Sequence, residues 1–509
     1  MKEILKYSDI LSLKRLPRQT LDLIFIGLFI VVSISFNYHE IMFKRPQGVH
    51  VWRQTDCASM ALNYYQKDLP LLKPQMHFRF NVKAEAMGEF PLMYYIVGKL
   101  YSIFGYHDAV YRMFWYLIAF LGSFCLYRLS LDALKLPFES LLIGMTLLFS
   151  PVVGYYAINF LPDPVALFLV SVSTYLLYLS YRKNNLFIFY SSLTVIAFAG
   201  LFKINSILIP LVLLGTYFLK SILEKDWKPS IHIIVGICAI VLINFSWYNY
   251  VIEFNAQNNT AYFLTGTAPI WNMDEQGKSE LISILIDRRL PEFYNNLFLG
   301  FTLVMVVIGL VFIKQRIWWL LFTLLCLIGQ LLFVLLFFDR FKYHDYYMIN
   351  NVFILPFLLI LSFYGIKNIS MPKYFGLLIK VVLLFVMIHS AVMSANFVKR
   401  RYINPENEFY ISRGYSTIEP YLNEKGIGLD DYVISIPDDS PNTTLYLMNR
   451  SGWTNLFHHP MEADDIEMHI KMGAKYLIIG DEALLKDAQM ARFLQKPIGK
   501  YKEIFLFEL

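Results

Sequence analysis

From position 21 onward the chain alternates long apolar runs with short polar ones. The runs 21–36, 112–131, 139–158, 163–181, 186–202, 205–222, 231–251, 294–313, 317–338, 346–366 and 374–397 are each long enough to cross a bilayer as a helix, which predicts eleven spans. The segment 90–105 is shorter, rich in Tyr and interrupted by Lys99, and reads as an amphipathic helix lying on the membrane surface. Beyond 398 the apolar runs stop. There, 432–436 and 476–480 read as buried strands, and 412–425, 462–473 and 482–495 as helices. The expected organisation is a membrane domain over 1–397 followed by a small soluble α/β domain over 398–509. The stretch 437–442, rich in Asp, Ser, Asn and Pro, reads as a connecting turn, although loops at the carboxyl ends of such strands also bind ligands.

Loop charges orient the spans. Lys2, Lys6, Lys14, Arg15 and Arg18 precede the first run, and no small-residue cleavage pattern follows it, so it reads as an uncleaved signal anchor with a cytoplasmic N-terminus. With 90–105 kept on the surface, the basic clusters Arg128/Lys135, Arg182/Lys183, Lys220/Lys225/Lys228, Lys314/Arg316 and Lys367/Lys373 all fall on the cytoplasmic side. The C-terminal domain and two large loops, 37–111 and 252–293, are then extracytoplasmic. A multi-pass protein of a bacterial inner membrane is the expected setting.

Composition agrees. Hydrophobic residues make up 57% of the chain and charged residues 17%, outside the range of soluble domains. Nothing marks a nucleic-acid partner. Only Cys57 of the four cysteines lies in a loop, which argues against a disulfide framework or a thiolate metal site.

Polar residues that are costly at a membrane edge collect on the outer side, as residues lining a cavity or a partner would. The first outer loop carries Val49-His50-Val51-Trp52-Arg53-Gln54-Thr55-Asp56 and, further on, Gly88-Glu89-Phe90-Pro91-Leu92. The turn before the fourth run carries Asp163, the next outer turn Lys203, the end of the long loop Arg288 and Arg289, and a later outer segment Tyr343, His344 and Tyr346.

The order of these parts, with Trp-Arg-Gln-Thr-Asp and Glu-Phe-Pro-Leu in the first loop and His344-Asp345-Tyr346-Tyr347 later, resembles the C-type (GT-C) membrane glycosyltransferases, in particular the protein O-mannosyltransferases and the lipid A aminoarabinose transferases. The likeness covers residues 1 to about 400 in organisation. It implies a GT-C fold and the inverting transfer of a sugar from a polyprenyl-phosphate carrier to an acceptor hydroxyl on a lipid, glycan or protein outside the cytoplasm. Phe90 departs from the Lys or Pro that commonly follows the Glu in sibling enzymes, so donor contacts do not carry over as a block.

Such a reaction needs a carboxylate to take the hydroxyl proton and cations to hold the departing phosphate. Asp56 is the expected general base, because a partly desolvated carboxylate has a pKa raised toward neutrality; capping the helix that follows is its bland role. Glu89 and Asp163 are the further candidate catalytic acids. Arg53, Lys203, Arg288, Arg289, Tyr343, His344 and Tyr346 are candidates for the donor phosphate. A divalent metal held by Asp56 and Glu89, with His50 or His77 nearby, is a further expectation. The rival from another class is a transporter, flippase or non-catalytic binding protein for lipid-linked glycans.

Overall fold

The computed structural model describes every residue except 1–3, 11–12, 82, 261, 264–265, 315, 403–413 and 460. Each apolar run of the sequence folds as helix, and one of them is broken. Among the described residues eight helices are long and apolar enough to cross a membrane by themselves, and a ninth follows if Glu275–Phe293 and Asn296–Phe312, bent by 79°, form one span. Leu186–Phe202 is a shorter apolar helix. The stretch expected to cross over 139–158 is instead two short helices, Pro137–Met145 and Pro151–Tyr156, buried on all sides. Pro151 cannot donate into a continuing helix. The polar groups at the break are satisfied by neighbours: Ser394 donates to the Phe149 carbonyl (2.7 Å), Tyr294 to that of Thr146 (3.1 Å), and Ser150 to that of Phe293 (2.7 Å). Irregular backbone at membrane depth is tolerated only where protein supplies such partners.

At one end of the bundle, strand β1 (Ile4–Lys6) pairs antiparallel with β2 (Ser370–Pro372), so the N-terminus and the 367–373 turn share a face. Tyr7 donates to Glu139 there (2.8 Å), and Lys380 pairs with the same carboxylate.

The opposite end carries the loops of interest. Val51–Gln66 is a helix whose middle, Gln54 to Tyr64, is buried throughout. The helix Leu92–Phe104, expected to be amphipathic, packs across it at Gly98, where an added Cβ would lie 2.7 Å from the Tyr64 Cβ and 3.0 Å from the Ala61 carbonyl oxygen. Only glycine allows that approach.

The C-terminal segment forms a five-stranded sheet of order β4-β3-β5-β7-β6, with β3 (Tyr432–Ile436) parallel to β4 (Gly452–Trp453) and β5 (Ala474–Ile479), and β7 (Ile504–Glu508) antiparallel to β5 and to β6 (Pro497–Tyr501). Both expected strands are present. The hairpin β6–β7 has no counterpart among the expected elements, and the helix expected over 482–495 is two 3-10 turns, Glu482–Lys486 and Ala491–Phe493. Asp487 explains the interruption, since its side chain accepts the Gln489 amide (2.9 Å) and competes with helical bonding. Within the helix expected over 412–425, only Glu419–Glu424 is helical; 412 and 413 lie outside the described residues.

The sheet docks on the first outer loop through backbone. Gly452 donates to the His77 carbonyl (3.0 Å) and accepts from the Arg79 amide (3.0 Å). A Cβ at Gly452 would lie 1.7 Å from the Val433 oxygen, so this edge too requires glycine. Arg79 stacks over Tyr432, 4.0 Å from the ring centre, and closes the seam.

Candidate active site

Asp56 sits on the second turn of the helix Val51–Gln66 and is fully buried. It does not cap that helix; His50, in a left-handed conformation (φ 58°), occupies the cap position. One Asp56 oxygen accepts from the Asn442 amide (3.0 Å), the other from the Tyr262 hydroxyl (2.9 Å). Burial pushes its pKa up to about 7; the positive Arg53 and the hydrogen bonds from Asn442 and Tyr262 oppose that rise, and the negative Glu89 adds to it.

Glu89 receives two bonds from Arg53 (2.5 and 2.6 Å) and one from the Tyr94 hydroxyl. Burial would raise its pKa, but the Arg53 guanidinium and Tyr94 outweigh burial and hold it below the ordinary Glu range. Two carboxylates that feel the Arg53 charge thus have opposite tendencies, one raised toward neutrality and one held low. Arg53 lies over the Phe263 ring (5.0 Å), and its Nη1 is buried with no hydrogen-bond partner among the described residues.

Asp163 opens its span and pairs with Lys203 (2.8 Å). Burial works against the Lys203 charge, yet Asp163 beside it prevails and raises its pKa, while Arg53 is near enough to oppose that rise. The Lys203 ammonium lies 4.3 Å from the ring centre of Tyr347 and 5.2 Å from that of Tyr346. The Tyr346 hydroxyl meets His344 Nδ1 (3.1 Å), and both rings approach His50. Burial, with His50 and Lys203 nearby, pushes the His344 pKa down to about 3. At neutral pH His344 therefore offers a neutral N–H and no charge. The structure accordingly brings Arg53, Asp56, Glu89, Asp163, Lys203, His344 and Tyr346 into one neighbourhood.

The remaining expected residues lie differently. Arg289 is buried and donates to the carbonyls of Phe341 (2.7 Å) and Lys342 (2.9 Å) and to Glu292 (2.6 Å), which commits its guanidinium to the loop. Arg288 is 62% exposed and reaches Glu292 at only 3.4 Å. The two sit in a widened π-turn, Leu285–Arg289. Tyr343 is 65% exposed, and its ring lies beside the Lys342 ammonium (5.6 Å).

Sequence reasoning missed the ion network beneath the site. Asp345 is fully buried and takes Arg401 (2.5 Å), His50 (3.2 Å) and the Tyr156 hydroxyl (2.7 Å); Arg401 continues to Glu292 (3.0 Å) and so to Arg289. Each acid of the network thus meets more than one basic group. The network ties the first loop, the long loop and the last span together. A signal existed: Lys399-Arg400-Arg401 is a basic run at a helix end expected to lie outside, against the positive-inside bias.

Of the two expected metal ligands, Glu89 is paired with Arg53, and the Asp56 oxygens accept from Asn442 and Tyr262. Among the described residues no group of three or more His, Cys, Asp or Glu side chains converges as a metal site. Of the two further candidate ligands, His50 faces Asp345 (3.2 Å), and His77 is buried between Ser59 (2.6 Å) and Asn449 (3.4 Å) at the domain seam.

The long loop meets the site with aromatics. Tyr262 stacks on Phe457 (6.1 Å between centres), and Trp52 approaches Phe457 from the first loop (6.4 Å). Phe457 holds φ 60°, strained for a residue with a Cβ, and leaves its ring 52% exposed.

Residues 88–248 match the family described as dolichyl-phosphate-mannose-protein mannosyltransferase, a stretch that holds Glu89, Asp163 and Lys203. No curated protein sequence matches the chain. Among solved structures, the chain is similar to ArnT from Cupriavidus metallidurans in the apo state, at 12% identity and a TM-score of 0.62 over 95% of this chain and 97% of that one. It is equally similar to the same ArnT bound to undecaprenyl phosphate, at 11% identity and a TM-score of 0.61 over 97% and 98%. A mutant of the arabinofuranosyltransferase AftD from Mycobacteria follows, at 12% identity and a TM-score of 0.55, over 97% of this chain and 42% of that one. The resemblance to the C-type membrane glycosyltransferases stands, and the fold is theirs.

Proposed function

We propose that this membrane protein, with the fold of the C-type glycosyltransferases, transfers a monosaccharide from a polyprenyl-phosphate carrier to an acceptor hydroxyl, with inversion and with Asp56 as general base. The observation that carries the reading is the buried Asp56, its pKa pushed up to about 7 beside a cluster of cationic and hydrogen-bonding groups. In the transfer, the acceptor oxygen forms a bond to the anomeric carbon as that carbon's bond to the phosphate oxygen breaks. The phosphate leaves with the electron pair, and the hydroxyl proton passes to the Asp56 carboxylate.

A base with a pKa near the working pH is both ionised and basic enough to be useful. The leaving phosphate gains charge, and Lys203 together with the free Nη1 of Arg53 offers charge-assisted donors on the same side. Tyr346 and the neutral His344 add donors without charge, and the exposed Arg288 stands at the rim. Asp163 keeps Lys203 protonated, and Glu89 fixes Arg53, so both act through the cations they hold. Undecaprenyl phosphate bound to ArnT supports a polyprenyl carrier here. The acceptor is a lipid, glycan or protein outside the cytoplasm, on the side to which loop charge assigns the site.

Purified protein given a labelled polyprenyl-phosphate sugar and a membrane extract should release free polyprenyl phosphate and label an acceptor. Binding of the donor with no release across a range of sugars and extracts would make the protein a carrier or binding protein for lipid-linked glycans.

A further inference from the structure

We propose that Asn442, carried by the C-terminal domain, is a positioning residue for Asp56, so that the soluble domain is a working part of the active site. The inference rests on Asp56 being the base. It deepens that reading by assigning the two carboxylate oxygens different tasks.

The geometry allows Asn442 only one orientation. It is fully buried, and its side-chain oxygen already accepts the Phe78 amide (2.9 Å), so its NH2 must face Asp56, 3.0 Å away. The turn that presents it, 437–442, has the composition of a mere connector, yet it is tightly cross-linked. Asp438 accepts from the Ser440 amide (2.9 Å) and hydroxyl (2.6 Å) and from the Thr444 amide (2.7 Å) and hydroxyl (2.6 Å). Thr454 donates to the Ser440 carbonyl (2.6 Å) and closes the turn on the strand beside it. Four bonds to one buried carboxylate hold the turn far more firmly than a connection needs.

The other Asp56 oxygen faces Tyr262, whose hydroxyl is a single rotatable donor on the long 252–293 loop. An acceptor hydroxyl can replace it at that oxygen. Asn442 then keeps the first oxygen and with it the direction of the lone pair that takes the proton. The groups that face Asp56 are Arg53 from its own helix, Glu89 from the segment before the next helix, Tyr262 from the long loop and Asn442. Asn442 alone comes from the C-terminal domain. Its bond favours the ionised carboxylate and holds the acid limb of the reaction lower than burial would set it.

The test compares Asn442→Ala and the uncharged, similarly sized Asn442→Leu with a control at the same seam, Thr443→Val, which loses only the contact between the Thr443 and Thr55 hydroxyls (3.2 Å). In the full-length protein, both Asn442 variants should lower kcat at least about tenfold with donor KM little changed, and should move the acid limb of kcat/KM upward by about one pH unit, the worth of one charged hydrogen bond. Thr443→Val should leave the limb in place. If Asn442→Ala does not fold, Asn442→Leu, which keeps the volume and adds no charge, carries the comparison. The protonated carboxyl stretch of Asp56, assigned in infrared difference spectra against Asp56→Asn, should titrate higher in the Asn442 variants whether or not turnover is seen. An unmoved stretch and limb, or an equal shift in Thr443→Val, would overturn the assignment. Absence of turnover in the wild type would count against the transferase reading instead.

Discussion

Replacing Asp56 by Asn tests the base with little disturbance to its surroundings. Asn442 cannot turn its amide, because its oxygen is held by Phe78, so the new side chain must point its oxygen at Asn442 and its NH2 at Tyr262. The Tyr262 hydroxyl can rotate to accept. All neighbours therefore keep a partner, and what is lost is the proton acceptor, with an expected fall in kcat of roughly 10²–10⁴. In the wild type, with a base near pKa 7, kcat/KM should drop about tenfold per pH unit below about pH 7 and level off above it; the variant should lack this limb. Stability supplies a second reading of opposite sign. A carboxyl whose folded pKa is raised stabilises the fold fully below its unfolded pKa and loses that contribution as pH rises through the folded one. A rise of about three units from the unfolded value corresponds to up to about 4 kcal/mol. Asp56→Asn should thus melt like the wild type near about pH 4 and above it near about pH 8. Turnover by continuous release of polyprenyl phosphate and thermal unfolding in the same detergent give both numbers. Near-normal turnover, or a melting gap independent of pH, would refute the reasoning.

Two further outcomes separate residues that the sequence treats alike. Arg288→Gln should weaken donor binding by about 1.5–3 kcal/mol with folding unchanged, whereas Arg289→Gln, which opens a buried pair with Glu292, should cost about 3 kcal/mol of stability. Titration of the undecaprenyl phosphate carrier and thermal unfolding distinguish them, and equal donor affinity in Arg288→Gln and the wild type would return Arg288 to a membrane anchor. For orientation, single cysteines at the exposed positions Lys183, Lys225 and Asn368 should resist an impermeant thiol reagent in intact cells, while Lys83, Trp271 and Asp430 should react. Labelling at Lys183 or Asn368 would overturn the orientation read from loop charge.

Periodicity is a property of contiguous chain, so the helical membrane class and the strands near 432–436 and 476–480 are legible in the amino-acid sequence alone, whereas the last helix runs on to Tyr402, past the expected start of the second domain. Asp56, Glu89 and Arg53 stand out as a candidate group for the same reason, since they lie in two short motifs on one loop. Their different protonation does not, because it depends on which carboxylate the guanidinium touches, and only packing decides that. The break at Ser150 and Pro151 hides inside an apolar run, because the partners that permit it, Ser394 and Tyr294, come from remote segments. Arg288 and Arg289 are adjacent and chemically identical; a helical turn points one outward and buries the other against Glu292. Asn442 lies 386 positions from Asp56, in a turn whose composition looks ordinary. A hydrogen bond over that separation leaves no local pattern, and it forms only when the sheet edge at Gly452 seats on His77 and brings the two ends of the chain together.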